Sequence, residues 1–281
     1  TPVDVRPFFH QHLRRGFETV VLTSATLRDG RGFNGLGLRL GLTKPEVETA
    51  EHVESPFDFE AQGLLFVPPG LPERKAGAGG VGDPAWVEGS LDAMERLLRA
   101  SRGRALLLFT SRKMLAAFQP RLKEAMPGFT FFVQGEGLSR SQLLERFRTT
   151  PASVLLGLAS FWQGVDLPGD ALCLVVVTSL PFAPPDDPVL QARIREADAQ
   201  REGLGFVGIQ VPMMTLKLKQ GLGRLIRTRA DRGVVTVLDP RLMLPREDPS
   251  GKRYAAQVRA ALPPFPLTRD WERVETFLRG L

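Results

Sequence analysis

Ala171-Leu-Cys-Leu-Val-Val-Val177 runs for seven residues without a polar side chain. A run this short and this rich in β-branched residues reads as a strand, and one with no alternating polar positions reads as covered on both faces, as in a parallel sheet. Working outward, Ser153-Val-Leu-Leu-Gly157, Arg104-Ala-Leu-Leu-Leu-Phe109 and Gly233-Val-Val-Thr-Val-Leu238 repeat the pattern, and Gly63-Leu-Leu-Phe-Val67 and Thr130-Phe-Phe-Val133 extend it. Helical periods lie between them. In 85–101, Val87, Leu91, Met94, Leu97 and Leu98 keep the 3.6 spacing; 113–125 and 139–148 follow, the latter opened by Ser139. A long helix with Pro212 near its start is predicted to end near Arg229. Strands alternating with such helices give an α/β fold, a parallel sheet with right-handed crossovers and helices on both faces.

The 281 residues are 43% hydrophobic, enough for a substantial core, and the length favours one large or two smaller domains. Thirty-seven Lys and Arg against 31 Asp and Glu leave a net charge of +6, which favours a nucleic acid or another polyanion as partner. The single cysteine, Cys173, sits inside the apolar run and reads as a small buried hydrophobe. One cysteine excludes a disulfide, a zinc site or a cysteine-ligated iron–sulfur cluster within this chain, and a reducing, cytoplasmic compartment fits. No apolar stretch reaches the roughly eighteen residues of a membrane span, and no secretory signal is present. The first residue is Thr rather than Met, which suggests a piece cut from something longer.

Toward the amino end, 8–15 reads as a short helix. Thr19 to Thr23 is a β-branched run, so Val20-Val-Leu22 is expected to be a buried strand with Ser24-Ala-Thr26 as the turn at its carboxyl end. Residues 30–41 read as a loop and a weak helix. Residues 68–84 carry five glycines and four prolines, too few apolar groups to pack, and read as a mobile connection. At the carboxyl end, Thr268 is placed to cap a last amphipathic helix through Trp271, Val274, Phe277 and Leu278.

In a parallel sheet, ligands bind outside the carboxyl ends of the strands. After Leu107-Leu-Phe109 comes Thr110-Ser-Arg-Lys113, a helix start with free amides, two hydroxyls and two cations: an anion site, or a plain helix cap. After Val154-Leu-Leu156 comes Ala159-Ser-Phe-Trp-Gln-Gly-Val-Asp166. Gly164 would let a ligand reach the backbone, and Asp166 could accept hydrogen bonds from ribose hydroxyls or an arginine. Phe161 and Trp162 offer either stacking surface or core packing. In Lys219-Gln-Gly-Leu-Gly-Arg-Leu-Ile-Arg227, taken as helix, Gln220, Arg224 and Arg227 share one face and Leu218, Leu222, Leu225 and Ile226 the other. Paired guanidiniums on a rigid support suit a polyanion; a solvated basic helix end complementing the dipole is the plain alternative. Gly221 and Gly223 each cost about 1 kcal/mol relative to alanine inside a helix, which implies a close approach to that backbone.

Taken in order, Thr23-Ser-Ala-Thr-Leu27, Leu108-Phe-Thr-Ser-Arg112, Ser160-Phe-Trp-Gln-Gly-Val-Asp166 and Gln220-Gly-Leu-Gly-Arg-Leu-Ile-Arg227 resemble motifs III, IV, V and VI of superfamily 2 helicases. Ser55-Pro-Phe57 and Leu180-Pro-Phe182 also match the XPD/DinG branch, the DNA-repair helicases of 5′ to 3′ polarity. The resemblance implies a second RecA-like motor domain that faces a first one across an ATP cleft. Residues 1–54 would then be the tail of the first motor domain and its connecting segment, and 55–281 the second domain. Arg224 and Arg227 would be arginine fingers meeting the γ-phosphate, with Gln220 beside them and Gly164, Asp166 and Gly223 close to the nucleotide. Thr110, Ser111, Arg112, Ser160, Trp162 and Gln163 would contact single-stranded DNA, and Ser24 and Thr26 would couple hydrolysis to domain movement.

The sequence departs from a complete motor in one respect. It holds no GxxxxGK[ST] phosphate loop and no acidic Asp-Glu-x-His box, so ATP and Mg2+ would be held mainly by the first motor domain of the same polypeptide, and the isolated chain is expected to be inactive as an ATPase. Two other classes stay open on the residues alone: a non-catalytic nucleic-acid or protein-interaction module descended from a motor, and a free-standing enzyme on a doubly wound sheet.

Overall fold

The computed structural model describes all residues except 1–3, 25–26, 28–31, 43–46, 48–50, 52, 76–79, 159–160, 162–166, 168, 185 and 245–253. The chain divides into two compact units, Thr1–Pro56 with Phe182–Leu216, and Phe57–Pro181 with Lys217–Leu281.

In the first unit, α1 (Arg6–Phe9) runs on into a π-helical turn (His10–Arg14), and α2 (Asn34–Leu40) follows; His10 Nε2 lies 3.1 Å from the Gly41 carbonyl oxygen. No strand forms over 17–24, contrary to the expectation for Val20-Val-Leu22. Val21 is 81% exposed there and Ser24 is exposed too. The reason is physical: β-branched residues favour an extended chain, but a strand needs a neighbour to receive its hydrogen bonds, and none lies beside this run among the described residues.

The second unit carries one seven-stranded sheet of order β3-β4-β2-β5-β6-β1-β7. Its strands are β1 (Gly63–Phe66), β2 (Ala105–Leu108), β3 (Thr130–Val133), β4 (Ser153–Gly157), β5 (Leu174–Val177), β6 (Gly233–Val237) and β7 (Leu267–Thr268), and every pairing is parallel. The helices are α3 (Phe59–Gln62), α4 (Pro84–Ser101), α5 (Arg112–Ala125), α6 (Arg140–Thr149), α9 (Ala255–Ala261) and α10 (Trp271–Arg279). Between α6 and α9, α7 (Pro188–Gln200) belongs to the first unit, and the division falls inside α8 (Val211–Leu222).

Alternate strand side chains serve the two faces. Phe66, Leu107, Phe109, Leu156, Val176 and Val234 join Trp86, Met94, Leu98, Phe118 and Leu278 from α4, α5 and α10 in one core, while Leu106, Leu108, Val175, Val177, Val235 and Val237 on the other face are equally buried. The helices start where side-chain acceptors meet their free amides: Asp83 before α4, Ser111 before α5, and Ser139 in a reciprocal capping box with Gln142 before α6. Contrary to the expectation from the sequence, Thr268 does not cap α10. It lies in β7 and accepts from Asp270 N, and the Asp270 carboxylate, which binds two first-turn amides, caps the helix. In the Gly/Pro-rich segment, Arg74 donates to the carbonyls of Gly80 and Val81, and Asp83 accepts from Lys75 N.

At Gly233, where β6 begins, a Cβ would stand 2.3 Å from the Cys173 carbonyl oxygen and 2.7 Å from Leu225 Cδ1, so β5 and β6 pair there only because glycine has no side chain. Gly233→Ala is therefore expected to lower stability by about 2–3 kcal/mol, read as a lower urea midpoint at unchanged slope; an unaltered midpoint would contradict the packing.

Candidate functional site

Strands buried on both faces leave their polar chemistry to the connections, and these gather at the two edges of the sheet. At the carboxyl edge, β2 runs into Thr110, Ser111 and Arg112. The Ser111 hydroxyl accepts from Met114 N at 3.1 Å as the cap of α5, and Arg112 projects into solvent from the first helical position. Thr110 Oγ1 lies 3.0 Å from Ser179 Oγ, so the turns after β2 and β5 are joined by a hydroxyl pair. Next to them Asp239, fully buried after β6, accepts from Leu180 N at 2.9 Å and takes a two-pronged bond from Arg241, Nε–Oδ1 2.9 Å and Nη2–Oδ2 2.6 Å. Burial works to lower the Arg241 pKa, but the hydrogen bonds and charge of Asp239 outweigh it and raise it above the ordinary arginine value.

The 158–169 connection starts at this edge. Gln134, following β3, accepts from Leu158 N at 2.7 Å. Phe161 is buried against Gly157, with the Arg140 guanidinium 5.4 Å from its ring centroid, so of the two readings open for it the core one holds and it is no stacking surface. Ser160, Trp162, Gln163, Gly164 and Asp166, as well as Thr26, lie outside the described residues.

The arginine motif sits at the opposite, amino edge, about 16 Å away by the rise of a five-residue strand. Contrary to the helical reading, α8 ends at Leu222. Gly223 N still donates to Lys219 O, but Arg224 N and Leu225 N tighten onto Gly221 O and Leu222 O, and the chain leaves the helix. Arg224 and Arg227 thus stand on a turn, not on a helix face, and their relative placement comes from that turn. Among the described residues Gly223 meets no backbone from outside its own helix; the nearest atom to a Cβ there would be Lys219 O at 3.2 Å.

Three features hold the turn. Leu225 and Ile226 are buried, as expected for the apolar side of the motif. Gln62 Nε2 donates to the carbonyls of Thr228 and Asp231, both at 2.9 Å. The Asp231 carboxylate, 4% exposed, accepts from Arg227 N at 2.8 Å and Thr228 N at 2.7 Å on Oδ2, and from Gly169 N at 2.9 Å on Oδ1. Gly169 has φ +79°, a left-handed conformation that an L side chain rarely adopts. Arg224 and Arg227 remain half-buried, and Arg224 Nε donates to the Gln220 carbonyl oxygen, closing the end of α8. Ser179, Asp239, Arg241, Asp231, Gln62 and Gln134 were not singled out from sequence; the Asp-Pro-Arg spacing at 239–241 was the one visible signal.

Residues 94–264 match the helicase C-terminal domain family. The chain belongs to that family. The helicase domain is 36% identical over 284 residues to the ATP-dependent DNA helicase YoaA of Haemophilus influenzae, which covers 100% of this chain and 41% of that protein. It is 39% identical over 263 residues to the ATP-dependent helicase DinG of Mycobacterium tuberculosis, over 94% of this chain and 37% of that protein. The chain therefore spans about two fifths of the length of these relatives. A solved XPD helicase superposes with a TM-score of 0.63 at 15% identity, covering 95% of this chain and 45% of that one, which places the helicase domain in the RecA-like fold. This is an XPD/DinG-like helicase C-terminal domain, as its motifs resemble. Among the described residues no group of three His, Cys, Asp or Glu is placed to hold a metal ion, and no helix is long and apolar enough to cross a membrane.

Asp231 also gives the site a pH dependence. Burial works to raise its pKa, but the amides of Arg227, Gly169 and Thr228 together hold it below the ordinary 3.8. A depressed folded-state value means that the stabilisation is complete above the unfolded-state value and is lost as pH falls through the folded one. Asp231→Asn should therefore lose stability at neutral pH and show a shallower decline than wild type below about pH 4; parallel urea-midpoint profiles would refute this.

Proposed function

We propose that the chain is the second motor domain of an ATP-dependent DNA helicase of 5′ to 3′ polarity acting in DNA repair, with residues 1–54 as the tail of the first motor domain and 55–281 as the second. The start of the second compact unit at Phe57 supports the boundary near residue 55, while 182–216, which clusters with 1–56, interrupts the second domain in sequence. The observation that carries the functional reading is the arginine turn: two half-buried guanidiniums, on a backbone fixed by Asp231, Gln62 and two buried apolar side chains, at one edge of the sheet. A rigid pair of permanent cations stabilises charge that builds on a transferring γ-phosphoryl group, because no reorganisation is needed when the charge appears. Gln220 and Gly223 flank the pair, and Gly164 and Asp166 complete the nucleotide side.

The carboxyl edge is assigned to single-stranded DNA. Thr110, Ser111 and Arg112 present hydroxyls, a helix start and an exposed cation, with Ser160, Trp162 and Gln163 following β4, suited to sequence-tolerant backbone contact. Ser24 and Thr26 couple the two domains. ATP is the substrate, and Mg2+ belongs with the phosphate loop of the first motor domain. The carboxylate at the arginine turn, Asp231, is committed to backbone amides and does not fit a magnesium ligand, so no step here runs through the metal. The isolated chain is inactive as an ATPase on this reading. A buried Cys173, whose thiol is pushed up to about 11 by burial, accords with a side chain that takes no part in thiol chemistry.

In the full-length polypeptide, Arg224→Ala and Arg227→Ala should each lower DNA-stimulated ATP turnover by about 10³-fold or more while single-stranded DNA affinity stays within about threefold. Full turnover in both variants would overturn the finger assignment and leave Arg224 as a helix cap and the chain as a non-catalytic binding module. Arg112→Ala should weaken DNA binding and reduce the slope of log K against log salt by about 0.7, the value for one phosphate contact on a single strand; an unchanged slope would remove Arg112 from the DNA track.

A further inference from the structure

The carboxylate of Asp231 binds the backbone of the very residue proposed to act on phosphate. Oδ2 takes two consecutive amides, Arg227 N and Thr228 N, while Oδ1 takes Gly169 N from the end of the β4–β5 connection. Charge-assisted bonds to a nearly inaccessible carboxylate resist competition from water. Gln62 donates to the carbonyls of Thr228 and Asp231 on the same turn. The backbone that follows Arg227 is therefore held through both amides and carbonyls. Leu225 and Ile226 anchor the turn in the core, but apolar contacts are non-directional and do not set the orientation of a peptide plane.

Resting on the arginine-finger reading, we propose that Asp231 is a positioning residue for phosphoryl transfer: its carboxylate sets the Arg227 backbone and locks it to Gly169, so that the arginine turn and the end of the β4–β5 connection move as one body. The substitution that separates this from a purely structural role is Asp231→Asn. An asparagine keeps one acceptor oxygen and turns the other position into an N–H donor, which faces either Gly169 N–H or the Arg227 and Thr228 amides and loses that link. Misplacement of a transition-state group by about 1 Å lowers rate by about 10²-fold without requiring loss of substrate binding.

In the full-length polypeptide with saturating single-stranded DNA, Asp231→Asn should lower kcat by about 10- to 100-fold, with the KM for ATP and the stoichiometry of DNA binding within about twofold of wild type. In the Arg227→Ala background, followed under single-turnover conditions, the same substitution should cost less than about twofold, because the group it positions is gone. Wild-type turnover in Asp231→Asn, or a repeated full loss in the Arg227→Ala background, would overturn the proposal. Wild-type turnover in Arg227→Ala alone would instead sink the arginine reading itself. Amide exchange followed by mass spectrometry supplies an arm independent of activity. Gly169, Arg227 and Thr228 should share one level of protection in wild type, and in Asp231→Asn either Gly169 or the Arg227 and Thr228 pair, whichever faces the new N–H, should lose it, while β2 and β5 stay protected. Should Asp231→Asn fail to fold, wild-type exchange decides: matched protection at the three amides supports the proposal, and free exchange at Arg227 or Gly169 refutes it.

Discussion

A sheet whose strands are covered on both faces has no strand position to spare for chemistry. Every side chain on β2, β5 and β6 is buried, and the one polar side chain among them, Thr236, makes no hydrogen bond among the described residues, which is the cost of placing a polar group there. The polar and charged residues with work to do are forced into the connections, which in an all-parallel sheet emerge at two opposite edges. From that constraint follow the division into a carboxyl edge of hydroxyls and Arg112 and an amino edge of paired arginines, and the role of the β4–β5 connection as the chain that leaves one and arrives at the other.

Each edge is stiffened by a buried carboxylate. Asp239 ties β6 to the turn after β5 through Leu180 N and is neutralised by Arg241; Asp231 ties the arginine turn to Gly169 and is bound chiefly by backbone amides, with the Thr228 side chain beside them. The difference has a consequence. A carboxylate paired with arginine holds two side chains together, whereas one bound chiefly by amides sets the backbone itself, and a backbone held in that way can aim a neighbouring guanidinium. Arg224 and Arg227 themselves stay half-buried.

The strands were the most legible part of the sequence. β3 and β4 fall on the residues expected, because an uninterrupted apolar run between turn signals has few other solutions, and α5 and α6 start beside the serines that cap them. The end of α8 was not legible. The spacing of Leu218, Leu222, Leu225 and Ile226 fits a continuing helix, and all four are buried as that pattern requires. Yet Asp231 captures the amides of Arg227 and Thr228, which a longer helix would have given to Gly223 and Arg224. A carboxylate four residues ahead competing for backbone donors leaves no mark on hydrophobic periodicity. Val20 to Leu22 failed for the converse reason: propensity was visible, but the partner strand that would realise it is not among the described residues. α7 gave no strong signal because Leu190 is its only buried residue. Of the candidate site, Thr110, Ser111, Arg112, Gln220, Arg224 and Arg227 are proposed from spacing and from resemblance to helicase motifs, whereas the groups that hold their backbone came into view only with the fold.

The central claim is that the turn after α8 aims Arg224 and Arg227 at a nucleotide held by the rest of the polypeptide. The most direct measurement is a structure of the full-length protein with single-stranded DNA and a metal-fluoride mimic of the transferring phosphoryl group. The account predicts at least one of the two guanidiniums within hydrogen-bond reach of the mimic, about 3 Å, with the Asp231 bonds to Arg227 N and Gly169 N intact. Both guanidiniums turned away from the mimic, with the nucleotide satisfied by other residues, would contradict it.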